Sequence, residues 1–275
     1  MKNLSTRTRI IIVSLLIAII YFVSSNIEFG AIDISGKRVD LLKALVFAVI
    51  TYLGALWSLF FKIRGERYFT LLLFPSLGVL LISLLGELIV ITILSGLGQA
   101  AVIASSTIFI GLYVYIVLLT VNILNKSYLE NIPLALAARG ALFILALIDA
   151  YLVFFMAFSN DLNILIRLFI VFITSSSLIN ICLWNVEYSF RSRMLVAGSV
   201  SLLLCFLAFV LSLWPLIPPY LALVMALFFY VFLNISMEIR EIIGRWIWIE
   251  YITLFVLILL FLLLLPEWGI NGPLV

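Results

Sequence analysis

The chain has 275 residues, of which 66% are apolar, 11% are charged and none is histidine. A soluble domain carries about 25% charged residues, so a chain with a mean hydropathy of +1.36 has too little polar surface to cover a globule in water. That composition places it in lipid and excludes His-liganded zinc or haem, HExxH hydrolysis, Ser-His and Cys-His nucleophile pairs and a histidine proton switch.

A spanning helix needs roughly 20 mostly apolar residues. Nine segments satisfy this, at 9–25, 41–61, 68–95, 100–124, 132–158, 162–185, 194–214, 217–237 and 246–265. The pattern predicts one all-α, polytopic membrane helix bundle over residues 1–275, with no soluble domain. The first segment follows Lys2, Arg7 and Arg9, and Ser24-Ser25-Asn26 is a poor A-x-A-like cleavage site, so it is read as a retained helix. Residues 26–40 are the longest polar connection and are expected to form a short outer hairpin or loop. Pro75, early in the third segment, is the expected place for a bend. Gly78 and Gly86 on the third segment, with Ala135, Ala146, Ala150 and Ala157 on the fifth, are small residues that allow close helix approach.

Later in the chain, Trp214-Pro215-Leu216-Ile217-Pro218-Pro219 reads as a tight uncharged turn. Ile235, Ile239, Ile242, Ile243 and Trp246 recur at helical spacing, with Glu238, Arg240, Glu241 and Arg245 between them. Residues 235–246 are therefore expected to continue the eighth helix as an amphipathic extension at the inner surface. Its bland reading is an interfacial anchor, and its sharper one a docking surface. An aromatic-plus-basic echo joins Trp57 and Arg64 to Trp184 and Arg191, too generic to establish a duplication.

Lys and Arg set the orientation. With the N-terminus inside, Lys2, Arg7, Arg9, Lys62, Arg64, Arg67, Lys126, Arg139, Arg191, Arg193, Arg240 and Arg245 fall on the inner side, twelve of the 16. Only Lys37, Arg38, Lys43 and Arg167 fall outside. Nine crossings then put the C-terminus outside, and the plasma (inner) membrane is the expected location.

Burying an ionisable group in a bilayer is costly, so a carboxylate at depth is the first functional candidate. Eleven of the 13 acids fall in loops or at helix ends; Glu87 and Asp149 do not. Counting from Ser95 and Ser159 at 1.5 Å per residue puts them about 12 and about 15 Å down, near one level. The sixth segment offers Asn163, Arg167, Thr174 and Ser177 on one helical face, with Asn180 beyond. The candidate binding site is therefore Glu87, Asp149, Arg167, Thr174, Ser177 and Asn180, holding a proton, a small cation or an amine, with Arg167 as counter-ion or gate. The opposing reading is glue between helices, with hydroxyls bonded back to their own carbonyls. No catalytic residue, metal site or cofactor is expected.

Three functions follow in order: a small-solute or ion transporter, a structural or assembly subunit of a membrane complex, and an intramembrane enzyme on a lipid-linked substrate. Beyond the lipid bilayer, the expected partners are a membrane protein or a second copy of the chain. A net charge of +3 gives no indication of nucleic acid. Cys182 and Cys205, at different depths, are not expected to pair.

Overall fold

The computed structural model describes residues 5–25, 27, 32–34, 37–59, 67–92, 97–127, 135–159, 163–185, 188–238 and 245–264. Among them are nine α-helices, one for each predicted segment: α1 (Thr6–Ser24), α2 (Leu41–Ser58), α3 (Arg67–Thr92), α4 (Leu97–Ser127), α5 (Ala135–Ser159), α6 (Ile164–Cys182), α7 (Phe190–Leu211), α8 (Pro218–Glu238) and α9 (Arg245–Leu264). Seven are long and apolar enough to cross a membrane, and Leu71–Glu87 and Ile249–Ile258 add two shorter apolar stretches. Many of their large apolar side chains point outward, among them Leu15, Val49, Ile108, Leu165, Leu202 and Phe206. Helices with apolar outer faces are stable only where the solvent is hydrocarbon, and the fold is a polytopic membrane helix bundle.

Polar residues beside the apolar runs start the helices. Ser5 Oγ accepts from the Thr8 N–H, Asp40 Oδ1 from Lys43, Asn163 Oδ1 from Leu165 and Ser189 Oγ from Ser192. Each satisfies an amide that the first helical turn leaves without a partner. Asn163, which the sequence places on the candidate polar face, is thus the N-cap of α6. Pro75 lies within α3, which runs unbroken through it.

The connection between α1 and α2 holds a short antiparallel strand pair. β1 (Ile32–Ile34) pairs with β2 (Lys37–Val39) in the register Ile32 to Val39, Asp33 to Arg38 and Ile34 to Lys37. Residues 239–244 of the expected extension over 235–246 lie outside the described residues; 235–238 belong to α8 and 245–246 to α9.

The chain divides into two compact units, Met1–Asp149 and Ala150–Val275, with the division inside α5. In the first unit α2 packs on α3, α1 on α4, and α3 on α4. Its core holds Ile10, Ile17, Leu71, Phe74, Ile110 and Leu118. In the second unit α6 packs on α7, and α8 on α7 and α9. α7 buries Arg193, Ala197, Ser201, Leu204, Ala208 and Leu211, a single stripe at helical spacing. Phe154 meets Phe229 edge-on at 6.4 Å. Between α7 and α8 the Trp214 indole N–H donates to the Leu262 carbonyl at 3.0 Å, closing the predicted tight turn onto α9.

Candidate functional site

Of the six candidate residues, Glu87 and Asp149 belong to the first unit and Arg167, Thr174, Ser177 and Asn180 to the second. Glu87, on α3, is held at the start of α2. Its Oε1 lies 3.3 Å from Lys43 Nζ, and its Oε2 accepts the Asp40 N–H at 2.8 Å. Asp40 is the N-cap of α2, so this carboxylate sits at a helix N-terminus, where backbone dipoles favour negative charge. Gly86 beside it lets α1 and α4 approach: the Tyr21 hydroxyl and Ser106 Oγ both lie against its open face.

Asp149, on α5, is 0% exposed, and the Tyr113 hydroxyl of α4 donates to its Oδ2 at 2.7 Å. Tyr113 is itself 4% exposed. Its hydroxyl lies against Gly78 of α3, where a Cβ would collide with it. Gly78 and Gly86 thus serve the close approach expected of them, each seating a polar side chain instead of a helix backbone.

Glu87 and Asp149 do not share a level. Tyr113, which holds Asp149, contacts α3 at Gly78, nine residues and about 13 Å along the helix from Glu87. Counting residues from an assumed span end missed this. The depth of a carboxylate follows its partners, and Glu87 sits beside the ammonium and the amide that compensate it. The shared mid-membrane site is corrected to two distinct carboxylate environments.

The α6 residues make contacts of their own. Arg167 donates to Ser212 Oγ at 3.2 Å and lies 5.5 Å over the Phe158 ring. Thr174 Oγ1 donates to the Ile170 carbonyl at 2.6 Å and Ser177 Oγ to Ile173 at 2.8 Å. These hydroxyls fasten to their own helix, and the buried face of α6 runs instead through Val171, Ser175 and Leu178. Asn180 Nδ2 points at Met194 Sδ of α7 at 3.0 Å.

Sequence reasoning missed Tyr113, Lys43 and Asp40. Tyr113 carries a hydroxyl 16 residues into α4, about 24 Å from its start, but a phenol looks apolar in a hydropathy profile. Lys43 entered only as an outer-side charge. The Asp40-to-Lys43 spacing of an N-cap and its N3 residue was a readable signal for a helix start that also gathers charge.

Among the described residues no three His, Cys, Asp or Glu come together to hold a metal ion. Neither cysteine forms a disulfide among the described residues; Cys205 Sγ faces the Leu168 carbonyl at 3.3 Å. An apolar cleft of about 250 Å3 lies among α7, α8 and α9, lined by Leu203, Phe206, Phe228, Val231, Phe232 and Phe255. It offers hydrocarbon shape and no group for chemistry. Compared with protein-family models, curated proteins and solved structures, the chain matches none.

Proposed function

We propose that the chain is a plasma-membrane transporter for a small solute or ion, with Asp149 as its binding carboxylate. One observation carries the reading. Asp149 is wholly enclosed, and its Oδ1 has no hydrogen-bond partner among the described residues. An orphaned carboxylate oxygen in a bilayer is expensive, and a binding role is the usual reason a chain keeps one. Within the first unit the site consists of the Asp149 carboxyl, the Tyr113 phenol and the gap at Gly78.

The test is electrical. The full chain is reconstituted in proteoliposomes on a solid-supported membrane and exposed to jumps of H+, Na+, K+ and methylammonium. A transient current in the wild type that Asp149→Asn abolishes is expected. Absence of any Asp149-dependent current across that panel overturns the reading.

A structural or assembly subunit, bound to another membrane protein or to a second copy, is the alternative. It is favoured by how Glu87, Arg167, Thr174, Ser177 and Asn180 are spent, each on a local fastening. Crosslinking in native membranes that returns one stoichiometric partner, with no current in the same preparation, would select it.

A further inference from the structure

We infer that the species exchanged at Asp149 is a proton and no metal cation, and that proton release requires the Tyr113–Gly78 contact to open. This rests on the transport reading and names the ion class of that same site.

The ligand count decides between proton and metal. Calcium takes six to eight oxygens and magnesium a near-octahedral set. At Asp149 the hydrogen-bonding partner among the described residues is the Tyr113 phenol, turned as donor to Oδ2 at 2.7 Å. A cation at Oδ1 would want several such ligand groups, and among the described residues no three His, Cys, Asp or Glu come together to supply them. A proton needs only one: it adds to a lone pair of Oδ1, converting carboxylate to carboxylic acid, while Oδ2 keeps the Tyr113 hydrogen bond.

Enclosure decides the coupling. An isolated buried charge is far more costly than a buried neutral acid. Tyr113 is the titratable group facing Asp149 among the described residues, and it is neutral. On α3 the acid Glu87 lies about 13 Å from Gly78 and is engaged by Lys43. On α5 itself Arg139 is exposed and ten residues away, about 15 Å along the helix. The enclosed geometry therefore fits the carboxylic acid. The carboxylate needs water, and water reaches Oδ1 only when the packing around it loosens. Tyr113 is the piece that must move, because its hydroxyl both holds Oδ2 and fills the gap at Gly78.

Infrared difference spectroscopy on the full chain in phosphatidylcholine nanodiscs tests this. The expected result is a protonated-carboxyl C=O band that appears and disappears reversibly with pH, is absent in Asp149→Asn, and is unaffected by Na+, K+ or Ca2+ at fixed pH. Tyr113→Phe should move the band to higher frequency, because Oδ2 is then a carbonyl that has lost its donor. That variant keeps the test decisive if Asp149→Asn fails to fold. A band present at every pH, a band removed by a metal cation at fixed pH, or a band that Tyr113→Phe leaves in place overturns the inference. The transport reading fails separately. Titration of Asp149 without any Asp149-dependent current leaves the proton site standing and the transporter refuted; an Asp149-dependent current with a cation-displaced band does the reverse.

Discussion

Glu87 and Lys43 meet at 3.3 Å with 16% and 8% of their side chains exposed, so the start of α2 is fastened to the C-terminal part of α3 by a mostly buried ion pair. Removing one member of such a pair leaves an uncompensated charge, at a cost of about 3–5 kcal/mol, whereas replacing both with apolar groups is often neutral. Lys43→Met should therefore destabilise the first unit by several kcal/mol, and adding Glu87→Leu should recover part of the loss. Thermal unfolding of the single and double variants in one nanodisc preparation measures the coupling. Strict additivity of the two single effects would show that the pair contributes nothing.

The contact between Tyr113 and Gly78 is steric as well as polar. A methyl group at Gly78 would take the place of the phenol oxygen, and Tyr113 cannot retreat without leaving Asp149. Gly78→Ala should cost about 1–3 kcal/mol, the usual range for overpacking a filled site. Gly140→Ala is the control. Nothing lies within 4 Å of a Cβ there, and alanine exceeds glycine in helix propensity by about 1 kcal/mol, so that variant should be neutral or stabilised. Equal losses at both positions would mean that the Gly78 gap is not specifically filled.

The number and order of helices were legible in the sequence because each span needs an uninterrupted apolar run, and the runs 41–61 and 217–237 reappear as Leu41–Ser58 and Pro218–Glu238. The candidate site was half legible. Asp149 stood out because a carboxylate in an apolar helix has few reasons to be there. Its partner did not, because Tyr113 resembles the other aromatics of α4 until α5 is placed against it. Glu87 was misplaced in depth for a related reason: hydropathy locates a residue along its own helix and says nothing about the helix end packed beside it. Arg167 was assigned to a carboxylate by charge alone, and the contacts seen with Ser212 and Phe158 depend on how α6 lies beside the ends of α7 and α5.

Thr174 and Ser177 provide a negative prediction. Their hydroxyls bond the Ile170 and Ile173 carbonyls of their own helix, an arrangement that satisfies the donor without binding anything else. Thr174→Val and Ser177→Ala should each leave stability within about 0.5 kcal/mol, and should leave any Asp149-dependent current unchanged. A loss of current in either variant, with folding intact, would restore α6 to the binding site.

The orientation rests on whether α3 and α9, whose apolar stretches are the two short ones, cross the bilayer. Reporters on the two termini cannot decide this, since seven crossings and nine both put the ends on opposite sides. The connections can. If α3 crosses, a cysteine at Arg64 reacts from the inner side and one at Ser95 from the outer side, in a background with Cys182 and Cys205 replaced. If it does not, both react from the inner side. The charge distribution favours crossing. Without α3 and α9 as spans, every connection from residue 93 to 245 changes side, and the 16 basic residues divide nine to seven, against twelve to four with them. An asymmetry that large is what orients a membrane protein during insertion, so Ser95→Cys should label from outside and Arg64→Cys only after the membrane is opened.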